Sequence, residues 1–307
     1  MNSILKKSAS DIVVLAAQRT PITKAIKGGL AKLYPEELLQ QIIEGTIQKS
    51  GVNKALIDDV LVGTVCQTLG GQKASALAVK SLGFPVKTTI NTVNRQCASS
   101  AQAISYSAST LASGENMFTI AAGVESMTHD YFFLMPNPWH WNYHAVDDGI
   151  RGKSTYDKLA SLKPVFAENG TTTAGNSSQI SDGASCMILT TRGSAEKFGY
   201  KPIARFVGSS VAGVPSAYMG IGPAVSIPQL LARFNLSTRD IGIFELNEAF
   251  ASQSLYCIRE LGLEMKRVNP YGGAIALGHP LGATGARLGA TLINGLHAQT
   301  MNPPNEV

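Results

Sequence analysis

Apolar and polar positions alternate along this chain in short, regular blocks. "DIVVLAA" (11–17) is a continuous apolar run and predicts a buried strand. In "PEELLQQIIEGTIQKSG" the apolar residues fall at 38, 39, 42, 43 and 47, the spacing of one helix face, and Gly51 ends it. "DDVLVGTV" (58–65) predicts a second strand, "QKASALAVKSLG" a small-residue helix ended by Gly83, and "TTINTV" (88–93) a third strand. An Ala/Ser-rich helix follows from Cys97 to Ala112, and "MFTIAAGVE" (117–125) predicts a fourth strand. Strands that alternate with helices predict an α/β fold with a largely parallel sheet covered on both faces.

Residues 128–150 break the pattern. They hold both tryptophans, two prolines and three of the five histidines without a clean period, and predict an irregular excursion. "TTTAGNSSQISDGASCMILTT" then leads into a strand over 183–191. From "YKPIARFVGSSVAG" a second strand–helix series begins. It has a helix near 223–234, the strand "DIGIFEL", a helix over 248–261 and another over 281–296. The two series echo each other: Asp59 to Cys97 spans 38 residues and Asp240 to His279 spans 39. That spacing places Cys97 and His279 at corresponding points of two similar units.

The chain has 307 residues, 44% hydrophobic and 15% charged, with a net charge of +5. No apolar run approaches the ~20 residues of a membrane helix. The basic residues are scattered without aromatic interleaving, which argues against nucleic acid and suits an anionic small ligand. Cys66, Cys97, Cys186 and Cys257 lie far apart with no C-x-x-C pair, and the histidines show no ligand spacing, so neither a metal site nor a disulfide scaffold is expected. "MNSILKKSAS" lacks the apolar core of a secretory signal.

Candidate chemistry gathers at strand-to-helix junctions. Cys97 stands where a strand gives way to a helix, a position that favours an anion and a larger thiolate fraction; small residues follow it and leave room for a substrate. A structural cysteine among small residues is the alternative. His279 lies in "NPYGGAIALGHPLGATGAR", with six glycines between 272 and 289. Pro280 suits a first helical turn, so His279 is expected at a helix start, where it can serve as base to a thiol or face an oxyanion. A hydrogen-bonded histidine in a glycine-rich turn is the other reading. In "FELNEAFASQ", Asn247 is either a helix cap or an amide that holds a water or a carbonyl oxygen.

"NRQCASSAQAI", "GVESM", "LASLKPVF", "TTTAGNSSQISDGA", "GIGPAVSIP", "IFELNEAFASQ" and "VNPYGGAIALGHPLGATGAR", taken in this order, resemble the thiolase family, and most of all its peroxisomal 3-ketoacyl-CoA members. The resemblance runs from about Asp11 to Leu296. It implies two similar βα halves in five layers (αβαβα), with the second half incomplete. The N-terminal half would cover 1–197, with a shortened insertion about 128–166, and the C-terminal half 198–307. It implies that Cys97 takes the acyl group as a thioester, that His279 activates it, and that His279 with a water on Asn247 forms one oxyanion hole. The Cys97 N–H would contribute to another. The implied reaction is cleavage of a 3-ketoacyl-CoA by CoA to acetyl-CoA and a shortened acyl-CoA, or the reverse. CoA would be a co-substrate, with no cofactor or metal, and no residue here is assigned to CoA binding. The implied partner is a second copy or a complete thiolase chain, with neither nucleic acid nor membrane. The resemblance places the protein in the peroxisome, with mitochondrion or cytosol as alternatives, although "NEV" is not a peroxisomal tripeptide.

Three departures shape the expectation. Thiolases carry a second reactive cysteine in a final C-x-G-x-G motif, whereas "GATLINGL" runs here into "HAQTMNPPNEV". Without it the second half is expected to lack two strands, and the chain to accept an acyl group without completing thiolysis at a normal rate. Cys257, in "LYCIREL", reads as helix interior and does not replace it. The loop that covers CoA is short. The usual Ser-Ser-Gly-Leu after the nucleophile is Ala98-Ser99-Ser100-Ala101, and Gly208 stands where a CoA-site serine is usual. The alternative to an active enzyme is an impaired or dead thiolase fragment that acts as a partner subunit.

Overall fold

The run 11–17 becomes strand β1 (Ile12–Arg19), most of it buried on both faces. A computed structural model describes residues 6–129 and 145–301; most of the irregular segment 128–150 lies outside the described residues. The further strands are β2 (Thr23–Lys24), β3 (Asp59–Gly63), β4 (Thr89–Val93), β5 (Phe118–Ser126), β6 (Ser181–Thr191) and β7 (Ala204–Phe206). The helices are α1 (Pro35–Ser50), α2 (Gln72–Ser81), α3 (Ser99–Ala112), α4 (Tyr156–Ala160), α5 (Arg192–Lys197), α6 (Gly222–Arg233), α7 (Ala251–Glu260), α8 (Ala274–Leu277) and α9 (Thr284–Met301). The described residues form two compact units. The larger comprises residues 7–129, 145–146, 181–207 and 280–301; the smaller comprises residues 6, 147–180 and 208–279.

The larger unit is built on one sheet of order β4-β3-β5-β6-β1-β7, with β2 beside β6. Its strands are less parallel than the alternation predicts. β3 runs parallel to β4 and β5. β6 is antiparallel to β5, β1 and β2, and β7 is antiparallel to β1. The difference follows from the connections. α2 and α3 carry β3 to β4 and β4 to β5, and a crossover helix returns the chain in the same direction. β6 enters after the long excursion of residues 127–180, which imposes no such direction.

Both faces of the sheet are covered. Val60 and Val62 of β3 and Ile120, Ala122 and Val124 of β5 pack with Leu38, Leu39, Ile42 and Ile43 of α1 and Ala78 and Val79 of α2. Leu61, Ala121, Met187 and Leu189 point the other way, onto Ala103, Ala108 and Leu111 of α3 and Ala290 of α9. The alternation of side chains along a strand thus divides one apolar run between two cores. α1 starts at Pro35, where Glu37 accepts the Tyr34 N–H at 2.8 Å, and stops at Gly51 in the left-handed region, φ 67°.

Helix α3 lies unusually close to the sheet and to α9. A Cβ on Gly63 would stand 2.3 Å from the Ser100 nitrogen, and one on Gly285 would stand 2.4 Å from the Ala101 nitrogen. The Ala286 N–H donates to Ser100 Oγ at 2.9 Å. Small residues therefore set the height of the α3 N-terminus, where the candidate nucleophile stands.

In the smaller unit α6 and α7 accompany a small cluster of Phe244, Leu246, Cys257, Ile258 and Leu263. The strand expected over "DIGIFEL" makes a single parallel bridge, Phe244 to Val268. A strand needs a ladder, and among the described residues this stretch has one short neighbour.

Candidate active site

In the smaller unit Asn247 and His279 meet. Asn247 Nδ2 lies 3.3 Å from His279 Nε2. Two tautomers satisfy this contact. The amide nitrogen donates to an unprotonated Nε2, or, with the amide turned over, its oxygen accepts from Nε2–H. His279 is buried at 4% exposure, and its backbone N–H donates to the Gln179 carbonyl at 3.0 Å in a parallel bridge with Ile180. It does not start a helix, as its proline neighbour suggests. α8 ends two residues earlier, Gly278 turns the chain at φ 116°, and the next helical turn begins at Leu281. Asn247 is not a helix cap either, because α7 begins at Ala251 with Phe250 at its cap. Asn247 Oδ1 is buried without a hydrogen-bond partner, so the amide keeps an acceptor in reserve.

The segment ahead of Asn247 is held by Asn269, a residue that the motifs leave without a role. Asn269 Oδ1 accepts the Leu246 N–H at 2.7 Å, and its Nδ2 donates to the Leu246 carbonyl and to Glu248 Oε1, both at 2.8 Å. One amide thus replaces the missing strand neighbour. It does so from the left-handed region, φ 48°, which asparagine tolerates better than most residues. Glu248 Oε2 also accepts the Ile275 N–H at 3.2 Å, and a Cβ on Gly273 would lie 2.1 Å from that carboxyl and displace it from these bonds.

In the larger unit Cys97 is half-buried on the turn between β4 and α3. Gln96, just before it, takes φ 49°, an uncommon conformation for a side-chain-bearing residue that marks a sharp change of direction. The turn is tied at several points. Ser99 Oγ donates to the Gln96 carbonyl at 2.6 Å and accepts the Arg95 N–H at 2.9 Å, and Asn94 Nδ2 donates to the Val65 carbonyl at 3.2 Å. The helix start does not lower the Cys97 thiol as expected. Burial pushes it up and the Glu125 carboxylate adds to that, while only a hydrogen bond from its own backbone N–H works the other way. Burial also pushes Cys186 up to about 12 and raises Cys257.

Glu125 is the second residue that sequence reading passed over. It is fully buried near the end of β5 and accepts four hydrogen bonds, from the N–H groups of Val65 and Cys66 at 3.0 Å and of Gly282 at 2.9 Å, and from the Thr64 hydroxyl at 3.4 Å. The signal was a lone charge inside an apolar run. Among the described residues no group of His, Cys, Asp and Glu is arranged to hold a metal ion.

Comparison with known proteins gives these motifs a family. The model "Thiolase, N-terminal domain" matches residues 12–145 and 140–193, and "Thiolase, C-terminal domain" matches 200–302. The chain belongs to the thiolase family. Among curated relatives, this thiolase is 36% identical to 3-ketoacyl-CoA thiolase 1, peroxisomal, of Arabidopsis thaliana, over 92% of the chain and 81% of the relative. It is also 36% identical to 3-ketoacyl-CoA thiolase B, peroxisomal, of Rattus norvegicus, over 94% and 85%. Among solved structures it matches the dimeric peroxisomal thiolase of Saccharomyces cerevisiae with a TM-score of 0.90 and 32% identity, over 96% of this chain and 93% of that one. It matches human mitochondrial 3-ketoacyl-CoA thiolase in complex with CoA with a TM-score of 0.87 and 26% identity, over 95% and 93%. The thiolase fold expected from the motifs is therefore the fold of this chain.

Proposed function

We propose that Cys97 is the nucleophile of this thiolase, that His279 is its base, and that His279 with a water held by Asn247 stabilises the oxyanion. The chain is an acetyl-CoA C-acyltransferase of 3-ketoacyl-CoA thiolase type, with CoA as co-substrate and no metal cofactor; the relatives favour this reading over the dead-fragment one. In the direction of cleavage, the Cys97 sulfur loses its proton to His279 and attacks the 3-keto carbon. The oxygen there becomes negative. As the carbonyl re-forms, the bond between carbons 2 and 3 breaks, and its electron pair leaves on acetyl-CoA, which takes a proton. The acyl group stays on sulfur until the CoA thiol attacks it and restores Cys97. Charge develops on oxygen in both attacks, so a prepared donor is worth several kcal/mol.

The observation that carries the reading is the Asn247–His279 contact at 3.3 Å, with an amide oxygen left unpartnered beside the ring. Because the Cys97 thiol is pushed up rather than down, its proton must be removed when substrate is present, which is the work of a base. The test is mass spectrometry of the intact protein after incubation with acetyl-CoA, beside a thiolysis assay. An adduct that maps to Cys97 and disappears in Cys97→Ser is the expected result. An adduct on another residue, or acylation that survives in Cys97→Ser, refutes the assignment.

The same reading extends to assembly and location. β4 is one of the two edge strands of the sheet and its residues are exposed or half-buried, an open edge that invites pairing with a second copy or with a complete thiolase chain. A peroxisomal location is supported by the names of the curated relatives.

A further inference from the structure

Glu125 has no packing reason to be where it is. The rest of β5, "FTIAAGV-S", is apolar or small, and a carboxyl is among the most costly groups to bury. What surrounds it is a ring of donors. Oε1 faces the Cys66 N–H and the Thr64 hydroxyl, and Oε2 faces the N–H groups of Val65 and Gly282. Burial raises this carboxyl, yet three of the four partners are backbone N–H groups that can only donate, an arrangement suited to the anion. The fit around it is close. A Cβ on Gly282 would stand 3.0 Å from Oε2 and 2.5 Å from the Thr64 Cα.

The two segments it joins lead to the chemistry. Val65 accepts from Asn94, so residues 64–66 hold the turn that carries Cys97. Gly282 lies three residues after His279. Other titratable groups on the elements around α3 and β5 are Arg19 of β1, Glu36, Glu37, Glu44 and Lys49 of α1, Asp59 of β3, Cys66, the exposed Arg95, Tyr106 of α3, Asp182 and Cys186 of β6, and Arg287 and His297 of α9. Of the groups in this unit, Glu125 is the one whose charge bears on the Cys97 sulfur.

We propose that Glu125 is a positioning residue for acyl transfer: a buried anion that fixes segment 64–66, and with it the Cys97 turn, to the turn at Gly282. The inference rests on Cys97 being the nucleophile. Burial opposes ionisation of the Cys97 sulfur and the Glu125 charge adds to it, a contribution that the pH dependence of Cys97 alkylation reads.

The experiment compares the full chain with Glu125→Gln, Glu125→Asp and Cys97→Ser. It reads acylation by acetyl-CoA per folded molecule, the rate of Cys97 alkylation by iodoacetamide against pH, and the melting temperature. Glutamine turns an amide N–H₂ toward backbone donors and removes the charge. It should slow acylation by about 100-fold, the scale of a misplaced catalytic group, and move the alkylation profile to lower pH. Aspartate keeps the charge, so acylation should fall while the profile stays near that of the native protein. Native acylation with an unmoved profile in Glu125→Gln overturns the proposal. So does a lower melting temperature with both other readouts unchanged, which would make the residue merely structural. If Glu125→Gln does not fold, Thr64→Val and Glu125→Asp decide: slowed acylation with an unmoved profile supports the proposal, and native acylation in both overturns it. Acylation that persists in Cys97→Ser would instead overturn the nucleophile, whatever Glu125 does.

Discussion

Substituting alanine for Gly123 is the most direct probe of how the Cys97 turn is supported. Gly123 lies in the buried centre of β5, beneath the first turn of α3. A Cβ there would meet the Ser100 Cβ at 2.6 Å and the Ala283 Cα and Gly282 carbonyl oxygen at 2.7 Å. Carbon atoms rest at ~3.5–4.0 Å, so each contact is about 1 Å too short. Two of the three neighbours are backbone, and Ser100 is tethered through its Oγ to Ala286, so no rotamer change relieves the clash. Overpacking of a close-packed core costs ~1–3 kcal/mol, and three simultaneous contacts put this site at the upper end, about 3 kcal/mol. At ~2–4 °C per kcal/mol, the melting temperature should fall by roughly 6–12 °C. Gly45→Ala is the matched control. Gly45 is exposed in α1 with nothing within 4 Å of a new Cβ, and alanine there should stabilise by ~0.5–1 kcal/mol. Calorimetry of both variants, with acylation of Cys97 measured below the transition, gives the answer. A Gly123→Ala melting temperature within about 1 °C of the native value, with native acylation, would refute the reasoning, since α3 would then have room to move.

Asp182 sets the second expectation. It accepts from the Thr128 and Ser126 hydroxyls and the Thr128 N–H, yet burial pushes it up to about 6. The folded protein then holds this proton more tightly than the unfolded chain. The stabilisation is present below about pH 4 and is lost as the pH rises through about 6. It amounts to about 3 kcal/mol at most, and Asp182→Asn should flatten the slope of melting temperature between those values. Asn269→Ala should destabilise by about 3 kcal/mol in chemical denaturation, because it strands the Leu246 N–H and carbonyl and the Glu248 carboxyl together; a loss under 1 kcal/mol would contradict the anchoring role. In alkylation with peptide mapping, the buried Cys186 and Cys257 should resist modification in the native protein. Prior incubation with acetyl-CoA should protect Cys97 and leave Cys66 reactive; equal protection of both would count against a covalent intermediate on Cys97.

Local pattern carried much of the fold. The strands expected at 58–65, 88–93 and 117–125 are β3, β4 and β5 to within two residues, because a short apolar run bounded by turn residues decides its own conformation. Strand direction was less legible. The antiparallel course of β6 depends on where the chain travels between residues 127 and 180, and no periodicity records that route. The stretch 241–246 has the composition of a strand, but a ladder is a property of two segments, and among the described residues Val268 alone bridges to it. Cys97, Asn247 and His279, the residues proposed for the site, stand out in the sequence by their motifs, but their surroundings do not. Helix starts favour thiolates by a local rule. Burial opposes that rule at Cys97, and the charge that adds to it sits on Glu125, 28 residues along the chain. Asn269 was hidden for a similar reason, since an asparagine beside a proline reads as a turn and not as a substitute strand.

The place of β1 in the sheet has a kinetic consequence. β1 is synthesised first, but its hydrogen-bonded neighbours are β6 and β7, which begin at residues 181 and 204. On a ribosome that adds ~5–20 residues per second, the strand waits on the order of ten seconds or more with both edges open. Its sequence, IVVLAAQR, is strongly apolar over its first six residues and carries its only charge at the end. Such a segment, long exposed and unpaired, is a natural ligand for chaperones and a natural seed for aggregation. Sheltering β1 until β6 arrives should therefore raise the yield of this thiolase in a heterologous host. Slower synthesis lengthens that interval, and extra chaperone shortens its effect.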